Sequence, residues 1–141
     1  MSFIRRKGSD KGFSEPQAVS SLTAAIHTIA AYDRANEVLV AATSSTSIED
    51  VAGVFVKAVT SSNTEAQVQE IVDGDVYVAD TTNNSNANHN MHRMVLTDST
   101  TVNNTGTDST SDAAIVQQVA PLGAASAKKI LCKFVRVQDR A

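Results

Sequence analysis

Residues 68–80 read VQEIVDGDVYVAD, two valine-rich runs on either side of the dipeptide Asp73-Gly74. Valine, isoleucine and tyrosine pack well on a pleated surface, so both runs have the composition of β-strands. An Asp-Gly pair readily supplies the positive φ angles that a two-residue hairpin turn requires. We therefore predict a β-hairpin here, with strands over Thr64–Val72 and Val76–Asp80.

Further valine-rich runs occur along the chain, separated by clusters of Ser, Thr, Asn and Gly. They are Glu37–Ala42, Val51–Thr60, Met91–Thr97, Ala113–Ala120 and Lys129–Val137. Residues 18–31 fit both a helical face and strand alternation, and we favour a strand because the downstream chain is β. The predicted fold class is all-β: a small single-domain β-barrel or sandwich of about seven short antiparallel strands with an extended N-terminal arm.

The arm is predicted over residues 1–17, and a β-rich domain over residues 18–141. Residues 1–17 contain scattered charges and no hydrophobic periodicity, which favours an extended or flexible segment. The formal charge is −3 overall, but residues 1–17 carry +2, residues 128–141 carry +4 and the middle carries −9. Basic ends on an acidic body can contact an acidic surface, although charged, solvated termini explain the same distribution.

The single cysteine, Cys132, excludes an internal disulfide. It alternates with Ile130 and Phe134 in the last predicted strand, so we expect it to be a small buried hydrophobic residue. No apolar run has the length of a membrane span, and the basic N-terminus lacks the apolar segment of a secretory signal. We therefore expect a protein made in a cytoplasm, without a membrane partner.

Histidines at 89 and 92 raise the question of a metal site, with His27 or Asp80 as a further ligand. Positions three apart on a strand face opposite ways, so the two rings converge only if His89 lies in the preceding loop. We interpret them as ordinary loop histidines. The Asp73-Gly74-Asp75 cluster lacks the pattern of a calcium loop.

Sequence patterns of catalysis are also missing. There is no GxSxG elbow, P-loop or GxGxxG fingerprint. Nucleic-acid binding by a small barrel needs aromatic side chains in a basic groove, whereas this body is acidic and aromatics are 4% of the chain. We predict no catalytic residues, no cofactor, no metal site and no nucleic-acid partner.

Two segments, TTNNSNANHN (81–90) and VNNTGTDS (102–109), are dense in Asn, Thr and Ser. Asn and Asp tolerate left-handed backbone and hydrogen-bond nearby peptide groups, so we expect ordered, self-capped loops on either side of the strand MHRMVL. Ordered polar loops and an apolar, basic arm are candidate contact surfaces. The predicted partner-binding residues are Phe3, Ile4, Arg5, Arg6, Lys7, Phe13, Asn83, Asn84, Asn86, His89, His92, Arg93, Asn103 and Asn104.

Three stretches together resemble the decoration, or cement, proteins of tailed-bacteriophage capsids. They are ANEVLVAATSSTSIEDVAGVFVKAV (35–59), the segment from Asp80 through VNNTGTDS, and VAPLGAASAKKILCKFVRV (119–137). The resemblance spans about residues 36–137, and the Asn/Thr-rich segment is its most specific part; the basic N-terminus and residues 18–35 do not match the family pattern.

The resemblance implies a structural, non-enzymatic protein. Its partner would be the phage major capsid protein, and copies of the chain itself, as a homotrimer or as lattice neighbours, would be a second one. The protein would be made in the host bacterial cytoplasm and reside on the capsid exterior, where it stabilises the head. Another virion component, such as a head-fibre base or a tail-associated β domain, is the alternative. A small metal-dependent enzyme using His89 and His92 is a more distant one.

Overall fold

The computed structural model describes residues 3–7, 16–72, 74–105, 108–124 and 127–135. Two short 3₁₀ turns, Ile48–Asp50 and Ala87–His89, are the only helical elements in these ranges, and the all-β prediction is confirmed. The strands are β1 (Ile4–Lys7), β2 (Gln17–Ala18), β3 (Ile29–Asp33), β4 (Val38–Ala41), β5 (Val51–Phe55), β6 (Glu65–Ala66), β7 (Val68–Gln69), β8 (Val76–Thr81), β9 (Arg93–Met94), β10 (Leu96–Asp98), β11 (Thr101–Val102), β12 (Val116–Pro121) and β13 (Lys129–Phe134).

The main sheet is barrel-like and nearly closed, with the strand order β10-β11-β8-β13-β12-β9. Strand β1 pairs antiparallel with β8 as a seventh member. One pair differs from the predicted antiparallel pattern, because β11 runs parallel to β8 with Thr101 opposite Asp80. The connection between these two strands contains β9 and β10, and this long crossover lets β11 return to β8 in the same direction.

A second sheet of four strands has the order β4-β3-β5-β7, and β2 and β6 form a separate pair. Both faces of β3 are buried: Ile29 and Ala31 belong to the core shared with the main sheet, whereas Ala30 belongs to a second core with Leu39 and Phe55. A strand covered on both faces reads as a continuous apolar run, as residues 29–31 do. The preference for strand over helix is confirmed only at Ala18 in β2 and at 29–31 in β3. Residues 19–28 form turns and irregular backbone with one isolated bridge, from Ala24 to Val59.

The predicted hairpin around Asp73-Gly74 is wrong. Strand β7 pairs with β5 in the four-stranded sheet, whereas β8 belongs to the main sheet. A tight turn does form, since the Asp75 amide donates to the Val72 carbonyl at 3.0 Å and Gly74 has φ +87°. The turn therefore carries the chain from one sheet to the other, a choice that strand composition does not encode.

Strand β7 approaches β5 closely at Gly53. A Cβ atom at this position would lie 2.3 Å from the carbonyl oxygen of Gln69 in β7, well inside contact distance. Only glycine allows the two backbones to lie this close. Glycine at this position therefore permits the close β5–β7 approach.

Aromatic side chains join the N-terminal segment to the core. Phe3 is fully buried, and its ring lies 5.7 Å from that of Phe134. Tyr77 meets Phe134 edge-on at 5.2 Å, a favourable arrangement for aromatic pairs. The side chain of Phe3, predicted as a partner contact, is inaccessible to a partner in this fold.

The prediction for Cys132 is confirmed. It is fully buried in β13, on the same face as Ile130 and Phe134. Burial raises the pKa of its thiol far above the usual value because the thiolate would lose its hydration. The described ranges contain no helix of the length and hydropathy needed to cross a membrane.

Candidate interaction surface

Two polar loops lie side by side at one end of the main sheet. The first polar loop is residues 82–92, after β8, and the second comprises residues 103–105 and 108–112, after β11. We call them together the polar loop surface. Because β8 and β11 are parallel neighbours, the chain leaves both strands at the same end, which brings the two loops together.

Asn104 joins the two loops. Its Oδ1 accepts a hydrogen bond from the Asn83 amide at 2.8 Å, and its Nδ2 donates to the carbonyls of Asn83 at 3.0 Å and Asn84 at 3.2 Å. The residue is only 2% exposed. Asn104 was predicted as a partner contact, but its side chain is used inside the protein because the peptide groups of the first loop need partners there.

The first polar loop is built on its own side-chain caps. Asn86 precedes the 3₁₀ turn Ala87–His89, and its Oδ1 accepts from the Asn88 amide at 2.9 Å. The Ser85 amide donates to the Ala127 carbonyl at 2.8 Å, which ties the middle of the loop to the segment before β13. The expectation of an ordered, self-capped loop is confirmed here.

Gln118, in β12, forms hydrogen bonds that support the first polar loop. The sequence did not predict this role. Gln118 is fully buried in β12, and its Nε2 donates to the Asn86 carbonyl at 2.8 Å and to Asn90 Oδ1 at 2.9 Å. The signal was a glutamine on the buried face of a strand, two residues after Val116. A buried amide needs partners, and a neighbouring loop is the usual source of them.

The second polar loop is held by Arg93 and Asp108. The carboxylate accepts from the Arg93 amide at 2.7 Å, and the guanidinium reaches both of its oxygens at 3.3 and 3.2 Å. Hydrogen bonds from the side chain and then the backbone of Arg93 hold the pKa of Asp108 below its usual value, and the charge of His92 contributes less. Asn103 adds an internal cap, because its Oδ1 accepts from the Thr105 amide at 3.1 Å.

His89 lies in the first polar loop, before β9, and this position allows its ring to approach that of His92. His89 ends the 3₁₀ turn, and the ring centroids lie 5.4 Å apart with a 30° tilt. The Nδ1 atoms of both rings are buried and have no hydrogen-bond partner in the described part of the chain. Among those same residues, no group of three or more His, Cys, Asp or Glu side chains is arranged to hold a metal ion.

The predicted contact residues thus separate by exposure. Asn83, Asn84 and Asn86 are exposed, whereas His89, His92, Arg93 and Asn103 are partly buried. The predicted basic residues of the arm, with Ile4, lie in Ile4–Lys7, which is β1 of the main sheet. Phe13 lies outside the described residues.

The chain was compared with protein-family models and with curated proteins. No protein-family model matches the chain. A search of curated proteins also finds no match. Any role for the polar loop surface must therefore be argued from its chemistry and from the sequence pattern.

Proposed function

We propose that this protein is a tailed-phage capsid decoration protein that binds the outer surface of the head through its polar loop surface. It would bridge neighbouring major capsid protein subunits and stabilise their lattice. The observation that carries the proposal is the internal bonding of the two loops by Asn104, which holds a set of exposed amide side chains in a defined arrangement.

Exposed amides suit a protein-protein contact. Asn83, Asn84 and Asn88 are exposed on the first loop, and each side-chain amide can both donate and accept hydrogen bonds with a partner's backbone. A loop that is already ordered loses little conformational entropy on binding, so more of the contact energy remains as affinity. Gln118 and Asn86 provide that order by bonding the loop backbone from within.

A lattice then amplifies a modest contact. When one protein touches two neighbouring subunits, the second contact forms at a high effective concentration set by the geometry of the first. A small rigid domain with a polar surface therefore gains affinity on an assembled head that it lacks for a free subunit. This expectation distinguishes a lattice binder from a protein that recognises a single folded chain.

The proposal is tested with heads that lack this protein. Purified protein is mixed with mature heads, immature heads and isolated tails, and the particles are imaged and averaged. We expect added density at regular lattice positions on the mature heads. No added density on either kind of head would overturn the proposal, and density on tails alone would favour a tail-associated component.

The same assay locates the contact. Asn84→Arg and Asn88→Arg place a large charged side chain on the first loop, and Ser61→Arg places the same side chain at an exposed position in the loop between β5 and β6. We expect weaker head binding for the two asparagine variants and unchanged binding for Ser61→Arg. Equal binding by all three variants would remove the polar loop surface from the proposal.

A further inference from the structure

Two adjacent imidazoles with unmatched nitrogen atoms form an unusual feature of the first polar loop. A neutral imidazole has one N–H donor and one acceptor nitrogen, and buried polar atoms in proteins almost always find a partner. Both His89 Nδ1 and His92 Nδ1 are buried without one in the described residues. Gln118 Oε1, on the strand beneath the same loop, is also buried without a partner there.

The centroid separation of the two rings is compatible with a shared metal ion. Zinc binds imidazole nitrogen at about 2.0–2.1 Å in tetrahedral geometry, so two rings on one ion have centroids roughly 5 Å apart. The observed separation is 5.4 Å. We propose that His89 and His92 together bind one divalent transition-metal ion through their Nδ1 atoms, which gives each atom the partner that the protein does not supply.

Gln118 supports the loop that carries this site. Gln118 bonds Asn86 and Asn90 on either side of His89, so the ligand-bearing loop is prearranged.

The ligand set also defines the class of metal. Neutral imidazole suits zinc, copper, nickel and cobalt, and it does not suit magnesium or calcium, which prefer oxygen ligands. Two protein ligands leave the other coordination positions of the ion without protein side chains among the described residues. We therefore expect an exchangeable ion, in contrast to a structural zinc held by four protein side chains.

The test is a calorimetric titration of the full chain, without a polyhistidine tag, with zinc chloride and with magnesium chloride. The variants are His89→Asn, His92→Asn and, as a matched control, His27→Asn, which changes the remaining histidine of the chain. Circular dichroism of each metal-free variant checks that it is folded. Imidazole ¹H–¹⁵N correlation spectra with and without zinc identify the nitrogen atoms that bind.

We expect one zinc ion per chain, no saturable binding of magnesium, and shifts of the His89 and His92 Nδ1 resonances. Loss of an outer-sphere partner alone weakens metal sites about 10–100-fold, so loss of either ligand should raise the zinc dissociation constant at least tenfold. His27→Asn should bind as wild type. The proposal fails if zinc does not saturate, if the Nδ1 resonances stay in place, or if His27→Asn weakens binding equally. If the wild-type protein does not bind zinc, and both His89→Asn and His92→Asn have a lower thermal midpoint than wild type, the result would instead indicate a buried water between the rings.

Discussion

Asn104 and Asn83 are joined through both peptide groups of Asn83: the Asn104 side chain accepts from its N–H at 2.8 Å and donates to its C=O at 3.0 Å. This reciprocal pairing imitates one rung of a β-ladder with a side chain. It continues the parallel β8–β11 pairing beyond the point where the strands end. The two polar loops are therefore an extension of the main sheet.

Replacing Asn104 with alanine should loosen both loops. The change removes the partner of the Asn83 N–H and of the Asn83 and Asn84 carbonyls. An unsatisfied buried group costs about 1–3 kcal/mol, and water can replace part of this pairing because Asn83 and Asn84 are exposed. We therefore expect the free energy of unfolding in urea denaturation to fall toward the lower end of that range. The amide of Asn83 should lose hydrogen-exchange protection, whereas the exposed-site control Asn84→Ala should retain it. Unchanged protection in Asn104→Ala would show that the pairing contributes nothing to loop order.

Replacing Phe3 with alanine should destabilise the whole domain. Phe3 is fully buried against Phe134, and loss of a buried phenylalanine typically costs about 3–5 kcal/mol. Phe3→Leu should cost less because it leaves a smaller cavity. Chemical denaturation of the three proteins measures the difference. A Phe3→Ala variant within about 0.5 kcal/mol of wild type would contradict the packing.

The stability contributed by the Arg93–Asp108 contact should decrease as the pH falls. The pKa of Asp108 is lowered in the folded state, chiefly by its hydrogen bonds with Arg93, so the contact contributes stability above the unfolded pKa of about 3.9. That contribution is lost as the pH falls through the lower folded pKa. Asp108 is 42% exposed, so we expect less than about 1 kcal/mol after solvent screening.

The measurement is the free energy of unfolding between about pH 5 and pH 2.5, the range in which carboxylates take up protons. Asp108→Asn should lose less stability on acidification than wild type does. Glu37→Gln, which neutralises an exposed carboxylate in the turn before β4, serves as the control. The same acid dependence in Asp108→Asn and wild type would exclude a contribution from this pair.

The thiol of Cys132 should react only when the protein opens. The side chain is fully buried and its pKa is strongly raised by burial, so the reactive thiolate is absent from the folded state. Labelling by an aromatic disulfide reagent should be slow in native buffer and complete in guanidinium chloride. A Ser61→Cys variant, with an exposed second thiol, should take up one label at once. Rapid labelling of native wild type would place Cys132 at the surface.

Local composition was sufficient to locate much of the strand structure. Val76–Asp80 and Lys129–Val137 were predicted, and strands occur at Val76–Thr81 and Lys129–Phe134. The alternation of Ile130, Cys132 and Phe134 also gave the buried face correctly. These features depend on near neighbours along the chain, which is the information that period-two alternation and β-branched residues carry.

The polar loop surface was only partly predictable, because some of its contacts join residues that are distant in the sequence. Turn chemistry indicated ordered loops, and Asn86 caps its turn within two residues. Exposure was not predictable, since Asn104 is buried while Asn83 is exposed despite the same residue type. The contact of Asn104 spans 21 positions, and no local pattern encodes a partner at that distance.

By itself, the sequence determined that this chain is all-β, that Cys132 lies inside, and that the Asn-rich segment 81–90 forms an ordered loop. Only the tertiary structure decided which strands pair, that β7 and β8 belong to different sheets, and that Phe3 lies in the core. It also brought His89 and His92 together. The physical reason is that every strand edge presents the same backbone donors and acceptors, so pairing is selected by the packing of side chains that are distant in the chain.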